Sequence, residues 1–111
     1  MTESVQDIRV PLHSSHTIEM IWIRNILYME GMENYTKLIT TSSCRYVITS
    51  SIGQMFREFE KYGFIQTHKS YLVNKEHIQR YHKIGEIELS HGYKIPVARR
   101  RREGVCSFLN T

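Results

Sequence analysis

Residues 35–63 read YTKLITTSSCRYVITSSIGQMFREFEKYG, and a change of period inside this stretch decides the fold. In YTKLIT, Tyr35, Lys37 and Ile39 alternate with Thr36, Leu38 and Thr40, the period of a strand. Thr41, Ser42 and Ser43 are turn residues, and CRYVITS is a β-branched strand that ends at Ser50. From Ser51 the period changes. Ile52, Met55, Phe56 and Phe59 fall at i, i+3, i+4 and i+7, one apolar helical stripe, so a helix of about three turns is predicted over roughly 51–62. Ser51 with Gln54 three residues on is a capping-box pattern, and Gly63 supplies the left-handed residue that ends a helix. A scaffold helix packed on strands is the reading that follows.

Working toward the N-terminus, DIRVPLH and TIEMIWI alternate about a turn at His13–His16, a hairpin, and Ile26–Met29 is a further strand broken by Glu30–Asn34. Working toward the C-terminus, short apolar patches from Phe64 onward alternate with turns at Gly85 and at His91-Gly92, and Pro96 keeps the strand before it at a sheet edge. In RRRREGVCSFLN, Val105, Phe108 and Leu109 fall at helical spacing, predicting a short C-terminal helix led by basic residues. The chain therefore reads as a mainly β domain over residues 1–111 with two short helices, residues 1–17 being an N-terminal strand or linker region.

The chain has 111 residues, 41% hydrophobic and 23% charged, a length that fits one core. Its apolar runs are a few residues long and its polar start is unlike a secretory signal, so no membrane partner and a cytoplasmic location are expected. Cys44 and Cys106 cannot make a disulfide framework and are expected to be reduced, structural thiols. From Gln66 to Arg102 nine basic residues face three acids, whereas the rest of the chain has six against eight. One face is thus suited to a polyanion.

Six histidines invite a metal reading, but His13 and His16 stand without any companion ligand motif, and turn histidines are the plainer account; no metal or cofactor is expected. No Gly-x-Ser-x-Gly elbow or glycine-rich phosphate loop is present, so no catalytic residue is expected and the chain is not read as an enzyme. Most aromatics are expected in the core, Trp22 among them, while Tyr35, Tyr71 and Tyr93 lie near basic turns. Arg99–Arg102 directly follow IPVA. A guanidinium can bridge the N7 and O6 acceptors of guanine or clamp a phosphate, and four arginines at a helix start oppose the helix dipole, which favours an external anion.

RNILYMEGMENYTKLIT, then a helix, then FIQTHKSYLVNKEHIQRY, then a hairpin ending in YKIPVARR resembles the LytTR DNA-binding domain over about Ile18 to Leu109. The most specific parts are THKSYLVN and IPVARR. The resemblance implies short strands in packed antiparallel sheets and the output domain of a bacterial transcriptional regulator of a two-component system, usually joined to a receiver. It implies as partner double-stranded DNA, bound at direct repeats by two domains and read by loops in major grooves. Carried onto this chain, the first reading loop is Asn34, Tyr35, Thr36 and Lys37, the second contains Lys69, and the third contains Arg99. Arg100, Tyr71 and Lys75 would position the DNA backbone, and His68, Ser70 and Asn74 would shape loops. Ala98 stands where the family often has serine, Lys69 where another polar or basic residue is common, and four arginines exceed the motif, which would raise salt sensitivity. Two alternatives stay open. One is a protein-interaction or anti-regulatory module using Met20, Met29, Met32 and Trp22; the other is a single-stranded nucleic-acid binder using the tyrosines.

Overall fold

A computed structural model of the chain describes residues 4–111; residues 1–3 of the N-terminal region lie outside them. The hairpin predicted first is present as β1 (Arg9–His13) and β2 (Ile18–Trp22). Strands β3 (Ile26–Gly31), β4 (Thr36–Thr40), β5 (Arg45–Ile48), β6 (Phe64–His68) and β7 (Tyr71–Asn74) form an antiparallel sheet in the order β5-β4-β3-β7-β6. A third sheet contains β8 (Ile78–His82), β9 (Glu86–Leu89) and β10 (Lys94–Pro96) in the order β10-β9-β8, which leaves Pro96 on an edge strand as its missing N–H requires. Helix α1 spans Ile52–Phe59 and helix α2 spans Arg102–Leu109.

The Ser51 hydroxyl caps α1 by accepting from the Gln54 N–H at 3.2 Å. The α-helix is shorter than the predicted 51–62, because its last turn, Glu60–Tyr62, tightens to a 3₁₀ turn that closes on Gly63 at φ +86°. The Gly63 N–H donates to the Glu60 carbonyl, and the Gly63 carbonyl accepts from Lys75, so the helix end is tied to the end of β7.

The five-stranded sheet is buried on both faces. Strand side chains alternate in direction, so consecutive residues serve different cores. Leu38, Leu72 and Phe64 join Val10, Leu12, Met55 and Phe59 in a core closed by the β1–β2 hairpin and α1. Their neighbours Ile39 and Val73 join Ile87, Leu89, Ile95, Val97 and Val105 in a second core closed by the three-stranded sheet and α2, with Ile65 packed against it. A register shift between Ile26 and Tyr28 lets Leu27 and Tyr28 share the second core while Met29 returns to the first.

Asn74 is fully buried where β7 ends. Its amide nitrogen donates to the carbonyls of Ile23 and Ile26 at 3.2 and 3.0 Å. Its oxygen accepts from the Glu76 N–H at 3.2 Å, and a reciprocal pair of bonds joins it to the buried Gln6 amide. One side chain therefore fixes the crossing from β2 into β3, the turn after β7 and the N-terminal segment.

Two expectations are corrected. Trp22 is 37% exposed rather than in the core, since Ile21 takes the inward position on β2 and Ile18, Met20 and Trp22 share the outer side of a hairpin covered on one face only. The Arg9 and Arg24 guanidiniums lie 5.5 and 5.0 Å from its ring. Cys44 is exposed in the turn before β5, so it is no core thiol; Cys106 is half-buried and both are free.

Gly31 is legible in the sequence only as a break in the apolar run, but it has a packing reason. A Cβ there would lie 2.8 Å from Ile52 Cβ, so the start of α1 seats on a bare strand end. Gly31→Ala is expected to cost about 1–3 kcal/mol by overpacking, measured by urea unfolding. Asn74→Ala is expected to lower stability by roughly 3 kcal/mol in the same assay, because two carbonyls and an amide N–H lose a buried partner.

Candidate nucleic-acid interface

Three turns meet at one edge of the molecule, held by backbone hydrogen bonds. The Gly31 N–H, at the end of β3, donates to the Ser70 carbonyl at 2.7 Å, and the Ala98 N–H donates to the Thr67 carbonyl at 2.8 Å. The β3–β4 turn, the β6–β7 turn and the Val97–Arg101 segment are thereby neighbours, although about thirty residues separate each from the next in the chain. These are the segments that carry most of the residues singled out from the sequence.

In the first turn the Met32 N–H donates to the Tyr35 carbonyl at 2.8 Å, leaving Asn34 exposed at the apex and Tyr35 half-buried. Thr36 turns inward. It is fully buried and its hydroxyl donates to the Ser50 carbonyl at 2.7 Å, so it cannot reach a partner in this conformation. In the second turn Lys69 is exposed, while His68 Nδ1 accepts from the Ser70 N–H at 3.1 Å and the Gln66 amide donates to the Lys69 carbonyl at 3.4 Å. His68 and Gln66 thus brace the turn that presents Lys69; no motif in the sequence marks Gln66 for that part.

The cross-strand register puts Lys37 opposite Glu30, Glu30 opposite Tyr71 and Tyr71 opposite His68, one row across β4, β3, β7 and β6. Directly opposed residues point to the same face. Within the row the Tyr71 hydroxyl donates to Glu30 at 3.1 Å. Burial, then the Glu30 carboxylate beside it, holds the Tyr71 phenol above its ordinary pKa, so it stays a protonated donor. Glu30 has no local sequence signal; only the strand register reveals that it lies between Lys37 and Tyr71 and bonds the latter. Tyr71 and Tyr93 both pack against Tyr28, with ring centroids 6.2 and 5.3 Å apart, instead of lying open side by side.

The arginine run divides by function. Arg99 and Arg100 are exposed in a 3₁₀ turn that precedes α2, whereas Arg101 and Arg102 are half-buried and their Nε atoms are covered. Arg102 lies over Gly85, where a Cβ would come within 2.6 Å of its Nη2. Of the other basic residues, Arg80 is bonded to Glu88 at 2.7 Å, and with His82 it holds that half-buried carboxyl below the usual range. Lys69, Arg99 and Arg100 are therefore the exposed basic residues of the 66–102 segment within these three turns, while Lys83 and Lys94 are exposed on the three-stranded sheet.

Lys75 and Asn74 do not join it. They lie at the far end of β7, about 13 Å of strand away at roughly 3.3 Å per residue. Lys75 Nζ contacts Thr111 at 3.3 Å and sits 5.1 Å from the Phe108 ring. Asn74 shapes the turn that follows β7, and not the turn that carries Lys69.

No helix of the described residues is long and apolar enough to cross a membrane. No curated protein was found to match the chain. Among solved structures, it is similar to the LytTr DNA-binding domain of a putative methyl-accepting/DNA response regulator from Bacillus cereus, with a TM-score of 0.78 and 18% identity over 93% of this chain and 97% of that one. That likeness bears on the fold, and the layered arrangement of three antiparallel sheets agrees with it. Residues 16–110 match the family described as the LytTr DNA-binding domain, and with all but the ends of the sequence matched, this chain belongs to that family.

Proposed function

We propose that the edge formed by Asn34, Tyr35, Lys37, Lys69, Tyr71, Arg99 and Arg100 binds double-stranded DNA with sequence preference. The chain would serve as the output domain of a transcriptional regulator of a two-component system, joined to a receiver in the full-length protein and bound as two copies to direct repeats. The observation that carries this reading is the convergence of three turns, each with exposed polar or cationic side chains, on a frame of backbone hydrogen bonds. Such a frame fixes the backbone of the three turns before binding, so that mainly side-chain rotamers are left to be ordered on contact. Lys69 and Arg99 are assigned to base edges in the major groove, Arg100 to phosphate, and Tyr71, oriented by Glu30, to the DNA backbone. Membership of a family of DNA-binding domains supports the reading.

A second reading, a protein contact on the β1–β2 hairpin, is favoured by the exposed stripe of Ile18, Met20 and Trp22, at 59%, 49% and 37%. It lies at the opposite end of β3 from Gly31 and leaves the DNA edge free.

Selection of bound duplexes from a random pool is expected to return a recurring motif whose binding outlasts that of a scrambled duplex or a single strand as salt rises. Equal, steeply salt-sensitive binding to every nucleic acid would contradict sequence readout. On the selected duplex, Lys69→Ala and Arg99→Ala are each expected to cost about 1–3 kcal/mol in a binding titration. Lys75→Ala, at the far end of β7, is expected to leave affinity nearly unchanged.

A further inference from the structure

The turn joining β8 to β9 carries Lys83 and Ile84, both exposed, and Ile84 at 84% is the most exposed large hydrophobic of the described residues. A lone surface isoleucine is ordinary; what distinguishes this one is how its turn is held. The Gly85 carbonyl accepts from the Val97 N–H at 2.9 Å, the Gly85 N–H closes the turn on the His82 carbonyl, and Arg102 lies against the bare Gly85 backbone at φ +118°. A side chain at position 85 would be strained at that φ, and the flexible guanidinium would have to shift to admit it.

The same backbone bonds fix where the turn lies. In the segment that leads into Arg99, the Val97 N–H donates to the Gly85 carbonyl and the next residue's N–H, that of Ala98, donates to the Thr67 carbonyl, so this segment runs between the β8–β9 turn and the end of β6. The β8–β9 tip therefore flanks the Arg99 segment on the side away from β6 and Lys69. Of its acid neighbours, Glu88 is bonded to Arg80 and His82, and Glu86, the first residue of β9, is half-buried between Pro96 and His82 of the flanking strands.

Resting on the duplex-binding reading, we propose that this tip is a further DNA contact outboard of Arg99. Lys83 meets a phosphate there, and Ile84 packs on the sugar and base edges of the groove beside it. A single apolar side chain on a convex, cationic tip is too small to seat a protein surface. It suits the apolar edge of a groove, where isoleucine can press against sugars or between base steps while neighbouring cations hold the phosphates.

The test uses the duplex recovered by selection, full length and with three base pairs removed from either end in turn. Both side chains are exposed, so Lys83→Ala/Ile84→Ala is expected to melt with the parent. The parent should lose on the order of fivefold to tenfold in affinity when one end is cut. The double variant should start weaker by the same factor and be indifferent to that cut, with a salt slope smaller by about 0.9. A variant that binds the full duplex as tightly as the parent, or that loses a further equal factor on cutting, would overturn the tip contact while leaving the parent's duplex binding intact. A parent with no preference for any selected duplex would instead overturn the reading on which the tip contact rests.

Discussion

Burial of one sheet on both faces is the constraint on which the rest of the molecule depends. A strand covered on one side needs an apolar residue at every second position, but β4, β6 and β7 must supply one at successive positions, as Leu38-Ile39, Phe64-Ile65 and Leu72-Val73 do. Each layer then has a defined partner: the β1–β2 hairpin and α1 on one side, the three-stranded sheet and α2 on the other. A one-residue slip of any of these strands would exchange the contents of the two cores, so the register is strongly specified. Register in turn fixes which turns lie side by side at the sheet's end. The candidate interface is in this sense a by-product of a doubly covered sheet.

Polar groups finish what apolar packing begins. Asn74 joins three segments through five hydrogen bonds at one end of β7, and the Gly31–Ser70 and Thr67–Ala98 bonds join three others at the opposite end. The first group anchors the frame and the second positions the exposed cations. Turns held on such a frame need little backbone ordering on meeting a ligand, which leaves the rotamers of Lys69, Arg99 and Arg100 as the main freedom to be lost.

Much of this is legible in the sequence, and the failures have physical causes. Alternation, turn residues and the switch to a helical period locate both helices and most strands, because these signals are local. The two-core arrangement is hidden at that level, since successive apolar pairs acquire their meaning only once the sheet's partners are known. The apolar strand residues around Trp22 point it to the core, yet a hairpin covered on one face exposes every second one. Thr36 and Lys75 have the right chemistry in the matching motifs but lie inside the sheet and at its far end, facts set by register and not by residue type. Glu30 and Gln66 brace the predicted residues without any signal of their own. The resemblance names the three loops; only the hydrogen bonds between distant segments bring them to one edge.

The most direct test of that edge is amide chemical-shift perturbation on titrating the chain with its selected duplex. Residues 32–35, 68–70 and 97–100 should shift together and saturate at one stoichiometry, while Ile18, Met20 and Trp22 remain unmoved. Perturbation centred on the β1–β2 hairpin, with those three turns unchanged, would contradict the account.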